Sequence, residues 1–391
     1  MEWLFHLPLV LWCLTVFSLG LMIGSFLNVV IARLPYEKSI IWPSSRCFAC
    51  YQPIRFTDNV PILGYLRLRG KCRACHAPYS ARYLWVEVGT GVAFLSLFLA
   101  EVVFNWHGIP GMKYNHLGPD SSIPPFQCWA LFGYHAVLLC GLIAAAAIDA
   151  EHHIIPTQVT YTVLVVGVIG GALMPWPWPQ PATVASVFPP EITMWSHPDY
   201  TGKVPTGVQP WPFWGPTFDF APPGSWKLGL LTSLTGALVG SLVIRATKWV
   251  FETGFGREAL GLGDADLLMM AGAFLGWQIP VLSLFVGSVA TLVLVLSARL
   301  LTRKRAGVAP TPPGTSVSGP ASPRELPFGP GLAIGVVVTW FAWPWLGPRL
   351  QFPFFDATMM MILVGFMCVG LLAFALLMRR PNEPVAATAK K

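Results

Sequence analysis

Apolar stretches close to the length of a bilayer-spanning helix recur along almost the whole chain, and no other feature narrows its fold so far. A helix needs about 20 apolar residues to cross the hydrocarbon core. Nine segments approach that length: 8–31, 84–104, 128–148, 158–174, 228–250, 264–278, 280–300, 330–347 and 357–378. The sixth is short, and 264–300 can also form a tight or re-entrant hairpin, so eight spans read nearly as well as nine. With 54% hydrophobic and 11% charged residues and a mean hydropathy of +0.59, the composition is that of a polytopic membrane protein. The expected fold class is all-α, with about 8–9 transmembrane helices.

Lysine and arginine set the orientation. With the N-terminus outside and the C-terminus in the cytoplasm, segments 32–83, 149–157, 245–264, 299–327 and 379–391 are cytoplasmic and hold 21 of the 25 basic residues. Only Lys113, Lys203, Lys227 and Arg349 stay outside. The net charge of +7 is then positive-inside bias plus attraction to anionic lipid, and nucleic acid is not an expected partner. No basic region precedes the first span and no small-residue cleavage site follows it, so 1–31 reads as an anchor.

The remaining organisation is a cytoplasmic domain at 32–83, helices over 84–174, an external insertion at 175–227, helices over 228–300, a flexible linker at 301–327, and C-terminal helices with a basic tail over 328–391. The insertion carries 13 prolines among tryptophans such as Trp176, Trp195 and Trp214, which forbids long helices and central strands. It lies against the outer leaflet or serves as an irregular partner loop. No internal repeat is evident.

The cysteines fall into two groups. Cys13, Cys128, Cys140 and Cys368 lie in or beside apolar spans and read as small buried hydrophobes. The others form Cys47-x-x-Cys50 and Cys72-x-x-Cys75, separated by 21 residues. Two such knuckles supply four thiolates to a tetrahedral zinc ion, and cytoplasmic thiols stay reduced, which favours metal over disulfides. Arg46, Lys71, Arg73 and Arg82 can offset the site's net charge of about −2, and His76 is surplus to four ligands. A closed tetrathiolate site would staple the small 32–83 domain and do no chemistry. Redox cysteines are the alternative reading.

Two aspartates carry the chemistry. Asp149 ends the apolar run 138–150, and Asp264 opens another in Gly261-Leu262-Gly263-Asp264-Ala265-Asp266. Ionisable groups at the edge of hydrocarbon are costly unless paired, hydrated or used. Two carboxylates brought together there share a proton, as in aspartic proteases. Helix capping accounts for Asp264 but not for Asp149, which sits at a helix C-terminus where the macrodipole disfavours a carboxylate. Gly261 and Gly263 let a backbone pass closely. Asp266 points about 200° away from Asp264 on a helix. Glu151, His152 and His153 read as a solvated polar turn; alternatively they bind a metal.

With these residues in view, the chain resembles the prepilin peptidases (type IV leader peptidases). The resemblance runs in order through Gly24-Ser25-Phe26-Leu27-Asn28, the two knuckles enclosing Asp58-Asn59-Val60-Pro61, then Arg82-Tyr83-Leu84-Trp85-Val86-Glu87, Asp149 with Pro156, Gly261-Leu262-Gly263-Asp264, and Leu326-Pro327-Phe328-Gly329-Pro330. It implies a bacterial inner-membrane aspartic peptidase that removes the basic leader of type IV prepilins or pseudopilins, with Asp149 and Asp264 as the catalytic pair and Cys47, Cys50, Cys72 and Cys75 as zinc ligands. Many members also methylate the new N-terminus with S-adenosylmethionine. The chain departs from the family's pattern at Asp266, where a lysine is usual, at Thr157, where an acidic residue is usual, and at Phe48, where a proline is common. Asp266 and Glu151 are then candidates to attract a basic leader. Alternatives from the residues alone are a G-x-G-D intramembrane protease of another substrate, or a non-enzymatic scaffold or proton-coupled transporter.

Overall fold

The structure, a computed structural model, describes residues 3–109, 114, 123–174, 220–221, 225–255, 261–305, 327–355, 361–362, 365 and 369. Most of the insertion expected at 175–227, of the linker at 301–327 and of the span at 357–378, with the basic tail and Cys368, lies outside the described residues.

Hydrocarbon offers no water to backbone N–H and C=O groups, so a spanning segment must satisfy them within itself. The described residues form α1 (Trp3–Arg33), α2 (Leu63–Arg67), α3 (Arg82–Phe98), α4 (Phe126–His152), α5 (Thr157–Leu173), α6 (Trp226–Phe255), α7 (Leu262–Leu275), α8 (Gln278–Arg305) and α9 (Gly329–Phe355). Among them, six stretches are long and apolar enough to cross a membrane: Leu7–Tyr36, Arg82–Val103, Phe126–His152, Trp226–Glu252, Gln278–Ser297 and Gly329–Gly347. The 264–300 stretch is two helices: α7 stops at Gly276, which has φ 81°, and α8 starts at Gln278. With 14 residues, α7 is about 21 Å long, short of the roughly 30 Å hydrocarbon core.

The chain divides into two compact units, Met1–Val166 with Leu282–Phe341, and Gly167–Val281 with Ala342–Lys391. In the first, small residues bring backbones together, as they do where lipid tails give apolar side chains no reason to prefer one another. A methyl group on Gly20 of α1 would lie 2.8 Å from the Cα of Gly91 in α3, and one on Gly24 the same distance from the Cα of Glu87. Leu27, Val30 and Ile31 of α1 close a core with Ala144 and Ile148 of α4 and Val159 of α5. After α3 the chain widens into one π-turn, Leu99–Val103, where the buried Glu101 meets the buried His135 of α4 at 2.5 Å.

In the second unit α6 packs on α7 through glycine. A methyl on Gly272 would come within 2.0 Å of the Gly236 carbonyl oxygen, and one on Gly240 within 2.3 Å of that of Leu268. From Asp264 to Leu275 every residue of α7 but Met269 is buried. A helix apolar on all sides is one enclosed on all sides, and enclosure by protein lets α7 be shorter than the membrane is thick.

Gly272→Val therefore forces α6 and α7 apart and costs about 1–3 kcal/mol or more, read as a lower thermal midpoint in detergent. Gly133→Ala on α4, where an added methyl meets nothing within 4 Å, leaves the midpoint unchanged or raises it.

Candidate active site and metal centre

Between α1 and α3 the chain builds two knuckles from the same contacts. At the first, the Cys47 N–H donates to the Gln52 carbonyl at 3.0 Å and the Tyr51 N–H to the Cys47 carbonyl at 3.0 Å; at the second, Cys72 donates to Ala77 at 2.8 Å and His76 to Cys72 at 3.1 Å. Arg46 pairs with Pro53 and Lys71 with Pro78 in isolated bridges. Tyr51 and His76 both sit at φ 57°. The strings Arg46–Pro53 and Lys71–Pro78 are thus a short internal repeat, which corrects the expectation of none. Only the cysteines, Ala49/Ala74 and the prolines are shared, too little to stand out before the backbones are matched.

The four sulfur atoms lie within 4.8 Å of one another, with Cys47 and Cys75 3.7 Å apart and Cys50 and Cys72 3.9 Å apart. A disulfide would require about 2.05 Å. Four sulfurs this close to one another can surround a single ion, so the cluster can hold a metal ion. The Cys50 backbone N–H brings the Cys47 thiol down to about 6, and that of Cys75 lowers Cys72; both favour the thiolate a metal needs. Among the described residues no other group of three or more metal-ligating side chains gathers, so Glu151, His152 and His153 do not form a metal site.

This segment is tied down at several points. Arg73 grips Asp58 with two parallel bonds, Nε to Oδ2 at 2.7 Å and Nη2 to Oδ1, and holds the Asp58 carboxyl below its usual value. Ile62, a β-branched residue at φ 61°, is strained; Glu87 of α3 accepts its N–H at 2.9 Å. Asn28 of α1 donates Nδ2–H to the Tyr83 carbonyl at 2.9 Å.

Asp149 lies in the last turn of α4, 7% exposed. Its backbone carbonyl accepts the N–H of His153 at 2.9 Å, and His153, at φ 54°, closes the helix. Its side-chain Oδ2 accepts the Gly329 N–H at 2.9 Å. Gly329 opens α9 and Pro330 follows it, the usual order at a helix start. The positive end of α9 thus meets a carboxylate that α4's own dipole disfavours. A Cβ on Gly329 would stand 2.7 Å from that Oδ2 and 2.9 Å from its Cγ, so the position has room only for glycine. The signal was present in Phe328-Gly329-Pro330 after a polar linker, but nothing local to it named Asp149 as the acceptor.

Asp264 and Asp266 are both buried, at 7% and 6% exposed, in the first turns of α7 after Gly261, whose extended backbone starts the helix. Asp266 faces α6, where Arg245 Nη2 lies 3.7 Å from its Oδ1, so the extra negative charge at 266 has a counter-charge on another helix. Glu151 pairs with Arg82. Each acid thus has a basic neighbour in this structure. Asp149 belongs to the first unit and Asp264 to the second.

Family models match two stretches: the bacterial peptidase A24 N-terminal domain over residues 18–100 and the type IV leader peptidase family over 217–296. Among curated relatives, a prepilin leader peptidase/N-methyltransferase of Myxococcus xanthus is 30% identical over 68% of this chain and 57% of its own length. The chain thus spans little more than half of that relative. Proteins of the same name are 28% identical in Stutzerimonas stutzeri, over 84% of this chain and 88% of theirs, and 29% identical in Pectobacterium carotovorum, over 82% and 89%. No solved structure matches the chain.

The purified protein is expected to carry about one metal ion per chain, measured by elemental analysis, and Cys72→Ser to lose it. Thiolates must be deprotonated to bind metal, so acidification from pH 7 releases the ion first. The Arg73–Asp58 pair stabilises the fold above the ordinary aspartate value of about 3.9 and is lost only as the pH falls below that, toward the depressed folded value. Metal content and thermal midpoint across pH 7 to 3 separate the two steps.

Proposed function

This chain belongs to the type IV leader peptidase family, and we propose that it is an aspartic endopeptidase of the bacterial inner membrane that cleaves the basic leader from type IV prepilins or pseudopilins and then methylates the new N-terminus. The relatives that carry both activities in their names match it across most of its length. The observation that weighs most is the buried Asp149 carboxyl under the Gly329 N–H, because it joins two separate motifs of the family at one carboxylate.

Asp149 and Asp264 are the pair assigned to the reaction. The ionised member takes a proton from water, whose oxygen adds to the scissile carbonyl carbon while the protonated member donates to the carbonyl oxygen. The tetrahedral intermediate collapses as the C–N bond breaks and the leaving nitrogen gains a proton from a carboxyl group. The products are a leader with a new carboxyl terminus and a mature chain with a free amine. In the second activity S-adenosylmethionine would be the methyl donor, and the free amine of the mature chain would be the acceptor.

The four-cysteine site is assigned to structural zinc, since four thiolates are a usual zinc ligand set and leave no position for substrate. The ion would staple the cysteine segment to itself, and Arg73, bonded to Asp58, lies within the second knuckle. The distribution of lysine and arginine supports an N-terminus outside, a C-terminus in the cytoplasm and the cysteine segment on the cytoplasmic side.

Purified wild type should cleave a prepilin from the same genome, while Asp149→Asn and Asp264→Asn each lose about 10²–10⁴-fold in rate, followed by mass spectrometry of the released leader. Unchanged cleavage by either variant would remove that carboxylate from the pair. Gly329→Ala keeps both carboxyls but displaces Asp149, and a misplacement of about 1 Å costs on the order of 10²-fold. Its zinc content stays near wild type.

A further inference from the structure

α9 carries Pro344 in its interior. A proline has no N–H, and its ring crowds the carbonyl four residues back, so the helix itself cannot satisfy the Trp340 carbonyl. Trp340 is completely buried, where a backbone oxygen needs a partner. His107 supplies the donor: its Nε2 lies 3.1 Å from that oxygen. A carbonyl only accepts, so Nε2 carries the hydrogen. The next carbonyl along, that of Phe341, takes the Trp106 indole N–H at 2.7 Å. Two adjacent residues of one loop thus hold two adjacent carbonyls of α9 just before its proline.

The loop is built to keep that hold. Asn105 bonds Ile109 in both directions, Nδ2–H to its carbonyl and Oδ1 to its N–H, each at 2.9 Å, and the Trp106 N–H reaches back to the Ala100 carbonyl at 2.7 Å. It follows directly on the π-turn of α3, whose Glu101 pairs with His135 of α4. The His135 ring meets the Trp340 ring edge-on at 4.8 Å. These contacts join α3, α4 and α9 at one level, and all lie within the first unit. Gly329, which donates to Asp149, and Trp340 are 11 residues apart on α9, about 16 Å along a helix. A hydrogen-bonded helix resists stretching, so an axial shift at Trp340 reappears at Gly329. The seat there has no slack, since a Cβ at 329 would already stand 2.7 Å from the Asp149 Oδ2.

We propose that Trp106 and His107 are positioning residues for the peptidase reaction: by holding the Trp340 and Phe341 carbonyls they set where α9 stands along its axis, and so where the Gly329 N–H meets Asp149. Neither touches the reacting atoms. The proposal rests on the reading of Asp149 as a catalytic carboxylate and extends the machinery around it to a loop at the far end of α3.

The test measures kcat and KM for prepilin cleavage by the metal-loaded full chain in detergent. His107→Leu removes the donor and should lower kcat about tenfold or more at a KM within about twofold of wild type, since a misplacement of about 1 Å costs on the order of 10²-fold. His107→Gln keeps an N–H at similar reach and should cleave like wild type. Pro344→Ala returns an N–H to the helix itself, so the double variant His107→Leu/Pro344→Ala should recover most of the lost rate. The pH profile of kcat should move in His107→Leu as it does in Gly329→Ala and return in the double variant. A role in folding alone would reduce the amount of active enzyme without moving that profile. Wild-type kcat in His107→Leu, or a loss that neither glutamine nor the second substitution repairs, overturns the proposal. Full cleavage by Asp149→Asn overturns the catalytic reading and the positioning role with it, whereas an inactive Asp149→Asn beside a fully active His107→Leu overturns the positioning role alone.

Discussion

A carboxylate in the last turn of a membrane helix faces the negative end of that helix's dipole with little water to offset it. Asp149 is in that position, and the N–H of Gly329, at the positive end of α9, is what meets it. Much of the first unit can be seen as the scaffold for this one contact. The closing turn at His153 fixes where α4 ends, the pair between Arg82 and Glu151 ties that end to the start of α3, and the core of Leu27, Ile31 and Ile148 holds α1 against α4 at the residue next to Asp149. If α9 began one residue later or carried a side chain at 329, the carboxylate would lose its partner or its place.

The second unit solves a related problem by enclosure. Asp264 and Asp266 sit on a helix too short to cross the bilayer alone, and α6 approaches it so closely at Gly236 and Gly240 that any side chain there would strike backbone. Without a hydrophobic force between helices in lipid, close backbone contact supplies the attraction. The same approach brings Arg245 to Asp266, so a charge that looks misplaced in the sequence has a counter-charge from a neighbouring helix.

The cysteine segment is too small to hold itself together by apolar burial, and its apolar side chains Ile41, Trp42, Phe48 and Phe56 are largely exposed. Repeated knuckle geometry, four converging sulfurs and the Arg73–Asp58 grip take the place of a core. That economy leaves room between the segment and the helices beneath it, where Asn28, Tyr83 and Glu87 line a cavity instead of packing against side chains. A segment held by knuckles and an ion pair rather than by a packed core leaves such a space.

Legibility followed the range of the signal. Each span announces itself through its own apolar length, and the paired cysteines through their own spacing. The anomaly of Asp149 was visible because a helix end and its charge are a few residues apart. The sequence by itself therefore determined an all-helical membrane fold, a four-thiolate site and the two carboxylates that the family reading assigns to catalysis. The tertiary structure alone decided that Gly329 meets Asp149, that Arg245 meets Asp266, that Glu101 meets His135 and that His107 meets the carbonyl of Trp340. These are contacts between side chains and backbone far apart in the chain, and no local composition, period or spacing encodes which distant group fills a given hydrogen bond.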